Sequence, residues 1–231
     1  MFKNIYFYRA RLFPAVITSI PMLVFLNKVI AVQYHDALKN IYEVLPLIAH
    51  LGLSAAVIFL CVQINRLVAK EVFQRLYFKE EQFMPTTNHL LTNNTYYTQS
   101  IKEKIRSKIL SRFGINLLNA QEEQHNEMNA RKSIATAVSQ IRIALNENAM
   151  LLRHNIEYGF WRNLIGGCLL AILFSVATFV FGILYHQQDL KTIGVICFII
   201  YLIPILLSKP IIKYYGMYYS KILYEQFLSL P

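Results

Sequence analysis

The chain has 231 residues, 55% of them hydrophobic and only 16% charged, with a formal net charge of +10 and a pI near 9.5. A soluble domain carries about a quarter charged residues, so an ordinary soluble enzyme is disfavoured, and the apolar residues sit in long blocks rather than being spread. The surplus of Lys and Arg is what crowds the cytoplasmic ends of membrane spans, a reading preferred here to a nucleic-acid partner.

The first apolar block runs from Leu12 to Gln33, behind Lys3, Arg9 and Arg11. It is read as a span rather than a cleaved leader, because no A-x-A-like site follows and Lys28 interrupts its end. A second block covers Leu45 to Ala69, a third Phe160 to Tyr185 and a fourth Thr192 to Ser208. About 20 mostly apolar residues cross a bilayer as a helix; the fourth block is short, and Pro204 leaves room for a kink. Cys61, Cys168 and Cys197 all fall inside these blocks and read as packing residues, not as a disulfide framework.

After the second block the helical mix of apolar and charged residues continues, and the helix is predicted to stop at Met84, before Pro85. Asn88 to Thr98 is polar and reads as a loop. A helix is predicted over Gln99 to Phe113, with Ile101, Ile105, Ile109 and Phe113 as its apolar stripe and Gly114 as its cap. Another should start after Asn119, capped by that side chain, with Glu122 and Glu123 at the positive end of the dipole. Its stripe, Ile134, Val138, Ile141 and Leu145, is expected to contact the neighbouring helix or a second subunit. Asn146-Glu147-Asn148 reads as a break, and Leu151 to Arg162 should lead directly into the third span.

The expected architecture is therefore all-α and polytopic, with four transmembrane helices and a helical cytoplasmic segment between spans two and three. The divisions read as 1–84 (arm, first hairpin and helix extension), 85–159 (cytoplasmic segment), 160–208 (second hairpin) and 209–231. The last piece carries Tyr214, Tyr215, Tyr218, Tyr219 and Tyr224 and is read as an interfacial helix, with a protein-docking surface as the alternative. Of the 23 Lys and Arg residues only Lys28, Lys39 and Lys191 lie in or beside the two short outer turns, which places both termini and the middle segment in the cytoplasm.

Candidate functional positions are few. Ala49, Gly52 and Ala56 on the second span, and Gly167, Ala171 and Ser175 on the third, have the spacing of small-residue grooves that let helices approach. Arg153, Tyr158, Gly159, Trp161 and Arg162 form a juxtamembrane collar, an anchor or hinge where soluble chain meets span. His154 and Glu157 share a helix face, yet two ligands do not make a metal site and no matching cluster is present. There is no P-loop, G-x-S-x-G or C-x-x-C, so no enzyme and no cofactor is expected. No Asp, Glu or Arg lies mid-span, which disfavours a charged-substrate transporter; a pore between subunits, lined by Asn27, Ser54, Gln63 and Thr178, is the channel alternative.

The order of two spans, cytoplasmic helices and two spans resembles the small multi-pass membrane proteins of bacterial antiphage systems. These include the four-span effectors of cyclic-oligonucleotide signalling and the Kiwa membrane component. It departs from the flagellar stator subunits, whose loop charges have no match here. The resemblance implies a bacterial inner-membrane effector or sensor of a defence system. The expected partners are the lipid bilayer, further copies in a homo-oligomer (a tetramer by analogy) and a soluble cytoplasmic protein. A non-conducting scaffold that recruits a soluble enzyme is the alternative from another class.

Overall fold

The computed structural model describes residues 2–30 and 53–231. The described residues are helical and contain no strand. Three helices are long and apolar enough to cross a membrane: α1 (Asn4–Val29), α6 (Ala149–Leu184) and α7 (Gln188–Leu206). The second apolar block enters as α2 (Leu53–Val68), which continues through a π-helical run, Ala69–Gln74, and a last turn, Arg75–Phe78. Its expected continuation to Met84 is corrected: Lys79 takes a positive φ of 59°, which ends the helix, and Pro85 instead opens a short helix, Pro85–Asn88. Then follow α3 (Gln99–Phe113), α4 (Ala120–His125), α5 (Glu127–Ala144) and, at the C-terminus, α8 (Ser208–Ser229).

The chain separates into two units. One holds residues 3–73 and 159–211; the other holds 74–158 and 212–231. The last twenty residues share a core with the middle segment. In that core Leu90, Ile105, Ile109, Ile134, Val138, Ile141 and Leu145 are buried with Leu223, Tyr224 and Phe227 of α8. Each such side chain contributes about 1.5–3 kcal/mol on burial. Leu223, Tyr224 and Phe227 of the tail lie in this core, and so does the α5 stripe.

Local chemistry explains the element ends. Gly114 closes α3 at φ 67°. Asn119 forms a capping box with Glu122: Asn119 Oδ1 accepts from the Gln121 and Glu122 amides at 3.0 Å, and Glu122 Oε2 accepts from the Asn119 amide at 2.8 Å. The single helix expected from Asn119 to Leu145 is interrupted at Asn126, which leaves helical geometry and caps α5 through the Asn129 amide. Asn148 caps α6 by accepting from the Leu151 amide at 2.9 Å.

In the apolar unit, polar side chains answer carbonyls that proline strands. Pro14 and Pro21 have no N–H to offer the carbonyls four residues before them, Ala10 and Ile17. Asn163 Nδ2 of α6 donates to Ala10 O at 2.6 Å, and the Tyr201 hydroxyl of α7 donates to Ile17 O. In lipid an unpaired carbonyl has no water to turn to. These two bonds therefore let α1 carry its prolines and tie it to two other helices. Asn65 Nδ2 of α2 donates to Thr18 Oγ1 at 2.8 Å, adding a third tie.

Candidate functional site

The two stretches singled out in the sequence, the collar and the tyrosine-rich tail, meet. Arg153, His154 and Glu157 occupy one face of the start of α6, and with Met150 they wall a cleft of about 430 Å³. Tyr214, Tyr215 and Tyr218 of α8 form the other wall. Both walls belong to the same unit. Spacing of three and four residues aligns Arg153, His154 and Glu157 on α6, and the same rule aligns Tyr214 with Tyr218 on α8. The Tyr214 and Tyr218 rings are parallel, 6.1 Å apart at 4°, and the His154 ring meets Tyr218 edge-on at 4.9 Å.

Glu157 lies near both Arg153 and His154 without closing on either. Its Oε1 is 3.6 Å from Arg153 Nε and its Oε2 is 3.4 Å from His154 Nδ1. Both exceed the 2.7–2.9 Å typical of a charge-assisted hydrogen bond, by roughly half an ångström or more. His154 Nδ1 is buried without a hydrogen-bond partner. Arg153 is largely exposed.

The remaining collar residues do other work. Tyr158 is buried, its ring 6.5 Å from Tyr219, so it faces the helical module rather than headgroups. Gly159 lies inside continuous helix, and a Cβ there would sit 3.0 Å from Ala10 Cβ and from the Tyr6 hydroxyl. Close approach of α1, rather than a hinge, accounts for this glycine. Trp161 stacks edge-on with Phe160 at 5.6 Å and packs on the Leu164, Cys168, Ala171 and Tyr201 cluster. Arg162 is half-buried.

The groove on the third span is filled from within the chain. A Cβ on Gly167 would collide with the Asn65 amide and Thr18 Oγ1, and one on Gly166 would lie 2.5 Å from Asn65 O and 2.7 Å from the Ala69 amide. Ala171 and Ser175 are buried, and Ser175 Oγ donates to Ala171 O at 2.7 Å. The line Gly167, Ala171, Ser175 is therefore packed from within the chain. Ala56 is exposed, while Ala49 and Gly52 lie outside the described residues. Thr178 is buried and donates to Phe174 O at 2.8 Å, so its hydroxyl lines no passage within the chain.

Sequence reasoning missed a polar clamp in the module. Lys102 is buried and its Nζ donates to the carbonyls of Leu91 and Thr92 at 2.9 Å and to that of Asn94. Burial, then the neighbouring Arg106, pushes its pKa below the usual lysine value. Arg106 donates to Leu90 O at 2.9 Å, Leu118 O at 2.6 Å and the Glu123 carboxylate. Glu123 also accepts from the Thr92 amide at 2.8 Å and its hydroxyl at 2.6 Å. A second cleft, about 520 Å³, opens beside Glu123, Thr92 and Glu127, but Glu123's oxygens are already engaged in holding the loop. His89 was missed too: it is buried, stacked on Tyr96 at 3.9 Å, with Nδ1 2.8 Å from Ser220 Oγ.

Among the described residues no three of His, Cys, Asp and Glu converge as a metal site would require. Comparison with family models, curated proteins and solved structures finds no match to this chain.

Proposed function

We propose that the chain is a four-span membrane protein with both termini and the 74–158 module in the cytoplasm. It acts as an oligomeric effector or sensor: the module receives a signal or a soluble partner, and the spans respond by forming a leak or a platform. The observation that carries this reading is α6, one uninterrupted helix of 36 residues. Its first turns supply Leu151 and Tyr158 to the module, and its later turns supply Leu164, Cys168 and Ala171 to the membrane unit. A single helix that supplies residues to both is what transmission needs. The remaining span is the second block, Leu45–Ala69, of which Leu53–Val68 is described as helix.

The setting we propose is the bacterial inner membrane and a defence system, on the likeness in span order. Self-association, as a tetramer by analogy, would use outward faces such as Leu169, Leu173, Val176 and Val180 of α6. No catalysis is assigned to the chain. The test is expression with the neighbouring genes, followed by phage challenge while membrane potential is followed with a dye. Depolarisation on infection with reduced plaquing is expected. Unchanged plaquing and a steady potential would overturn the effector reading. Recovery of a stoichiometric soluble partner from membranes that stay tight would favour the scaffold instead.

A further inference from the structure

We propose that the cleft formed by Arg153, His154 and Glu157 with Tyr214, Tyr215 and Tyr218 binds the phosphate–ammonium zwitterion of an aminophospholipid headgroup, of the phosphatidylethanolamine kind. The inference does not depend on any signalling role.

Depth comes first. At 1.5 Å per residue the 36 residues of α6 span about 54 Å, against a hydrocarbon core of about 30 Å. With the far end of the span at Leu184, the hydrocarbon edge falls between Phe160 and Ile165. That puts Glu157 about 5–12 Å beyond the edge, where headgroups lie.

Charge comes second. The cleft holds one guanidinium and one carboxylate, whose formal charges balance. A simple anion would have to compete with Glu157, and a simple cation with Arg153. A zwitterion satisfies both. The exposed Arg153 guanidinium suits the phosphate through paired N–H donors. Glu157, held only at 3.4 and 3.6 Å, has acceptor capacity left for an ammonium. The faces of Tyr214 and Tyr218 offer cation–π contact to the same group. His154, with Nδ1 buried and without a hydrogen-bond partner, completes the floor between them.

Ethanolamine is favoured over choline because Glu157 can accept a hydrogen bond only from an N–H. The test is native mass spectrometry of the full chain released from mild detergent with equimolar phosphatidylethanolamine, phosphatidylcholine and phosphatidylglycerol. Selective retention of the ethanolamine lipid is expected. Arg153→Ala and Glu157→Gln should each cut retained lipid by about tenfold, the scale of one lost charge-assisted contact. The glutamine variant keeps the side-chain shape and separates binding from folding. Added O-phosphoethanolamine identifies the source. If it displaces the lipid, the zwitterion can be taken up in soluble form; if it does not, the acyl chains are part of the ligand. Equal retention of the three lipids, displacement by inorganic phosphate alone, or wild-type retention by both variants would overturn the assignment.

Discussion

Pro14 and Pro21 are seven residues apart, and the carbonyls they strand, Ala10 and Ile17, lie about two turns apart on the side of α1 that meets α6 and α7. That shared face is the one met by Asn163 and Tyr201. The arrangement makes a specific coupling testable. Asn163→Ala should lower the thermal midpoint of the detergent-solubilised chain, by the equivalent of roughly 1–3 kcal/mol for an unsatisfied buried group. In a Pro14→Ala background the restored amide of residue 14 can serve Ala10 itself, so the same Asn163→Ala change should cost much less. A double-mutant cycle measures the difference. An equal cost in both backgrounds would mean that Asn163 does something other than answer the stranded carbonyl. The polar residues of these spans could be seen in the sequence, but the pairing could not: nothing local to α1 says which distant amide faces Ala10.

Helices with strong local signals were legible to the residue. Gln99–Phe113 was bounded by Gly114, and Asn119 with Glu122 marked the next start. On α3 the stripe holds at Ile105 and Ile109, which are buried, and at Phe113, which packs on the same core; Ile101 departs from it. A strict four-residue spacing drifts about 40° per step, so Ile101, Ile105, Ile109 and Phe113 cannot all face one way. The buried face is Lys102, Ile105, Arg106 and Ile109, and Ile101 is exposed. Two basic residues on a core face read as surface until the carbonyls of the 90–94 loop and Glu123 are known to meet them. The tail reads two ways for a related reason, since tyrosines suit a membrane interface and a half-polar core equally well. Tyr224 is fully buried, with its hydroxyl donating to Thr86 O. The contact of His89 with Ser220 makes the docking of α8 dependent on pH. Burial holds the His89 imidazole down to about 4 from 6.5. Between those values the unfolded chain binds a proton that the folded chain refuses. This stabilising contribution is therefore complete above 6.5 and is lost as pH falls toward about 4, by at most ~3 kcal/mol. His89→Gln should flatten the fall in module stability across that window when hydrogen exchange at α8 amides is followed. An unchanged slope would show that other groups set it.

At the scale of the whole molecule, sequence order and spatial grouping diverge. Residues 74–158 and 212–231 form one unit although the second hairpin lies between them in the chain. A core assembled from two separated segments requires both to be on the same side of the bilayer. The number of spans between residue 158 and residue 212 must then be even, and α6 and α7 supply two. The proposed side rests on charge: of the 23 Lys and Arg residues only Lys28, Lys39 and Lys191 fall in or beside the turns proposed to be outside. In the proposed topology the positive-inside rule puts the remaining majority in the cytoplasm. The shared core and the charge bias both support the proposed topology, which reporter fusions can test. A fluorescent reporter that matures only in the cytoplasm should be active when inserted after Asn93 or appended after Pro231. A phosphatase that folds only outside should be active when inserted after Gln187, in the turn between α6 and α7. Phosphatase activity at Asn93 with fluorescence at Pro231 would place the two halves of the core on opposite sides, and the four-span topology would fall with it.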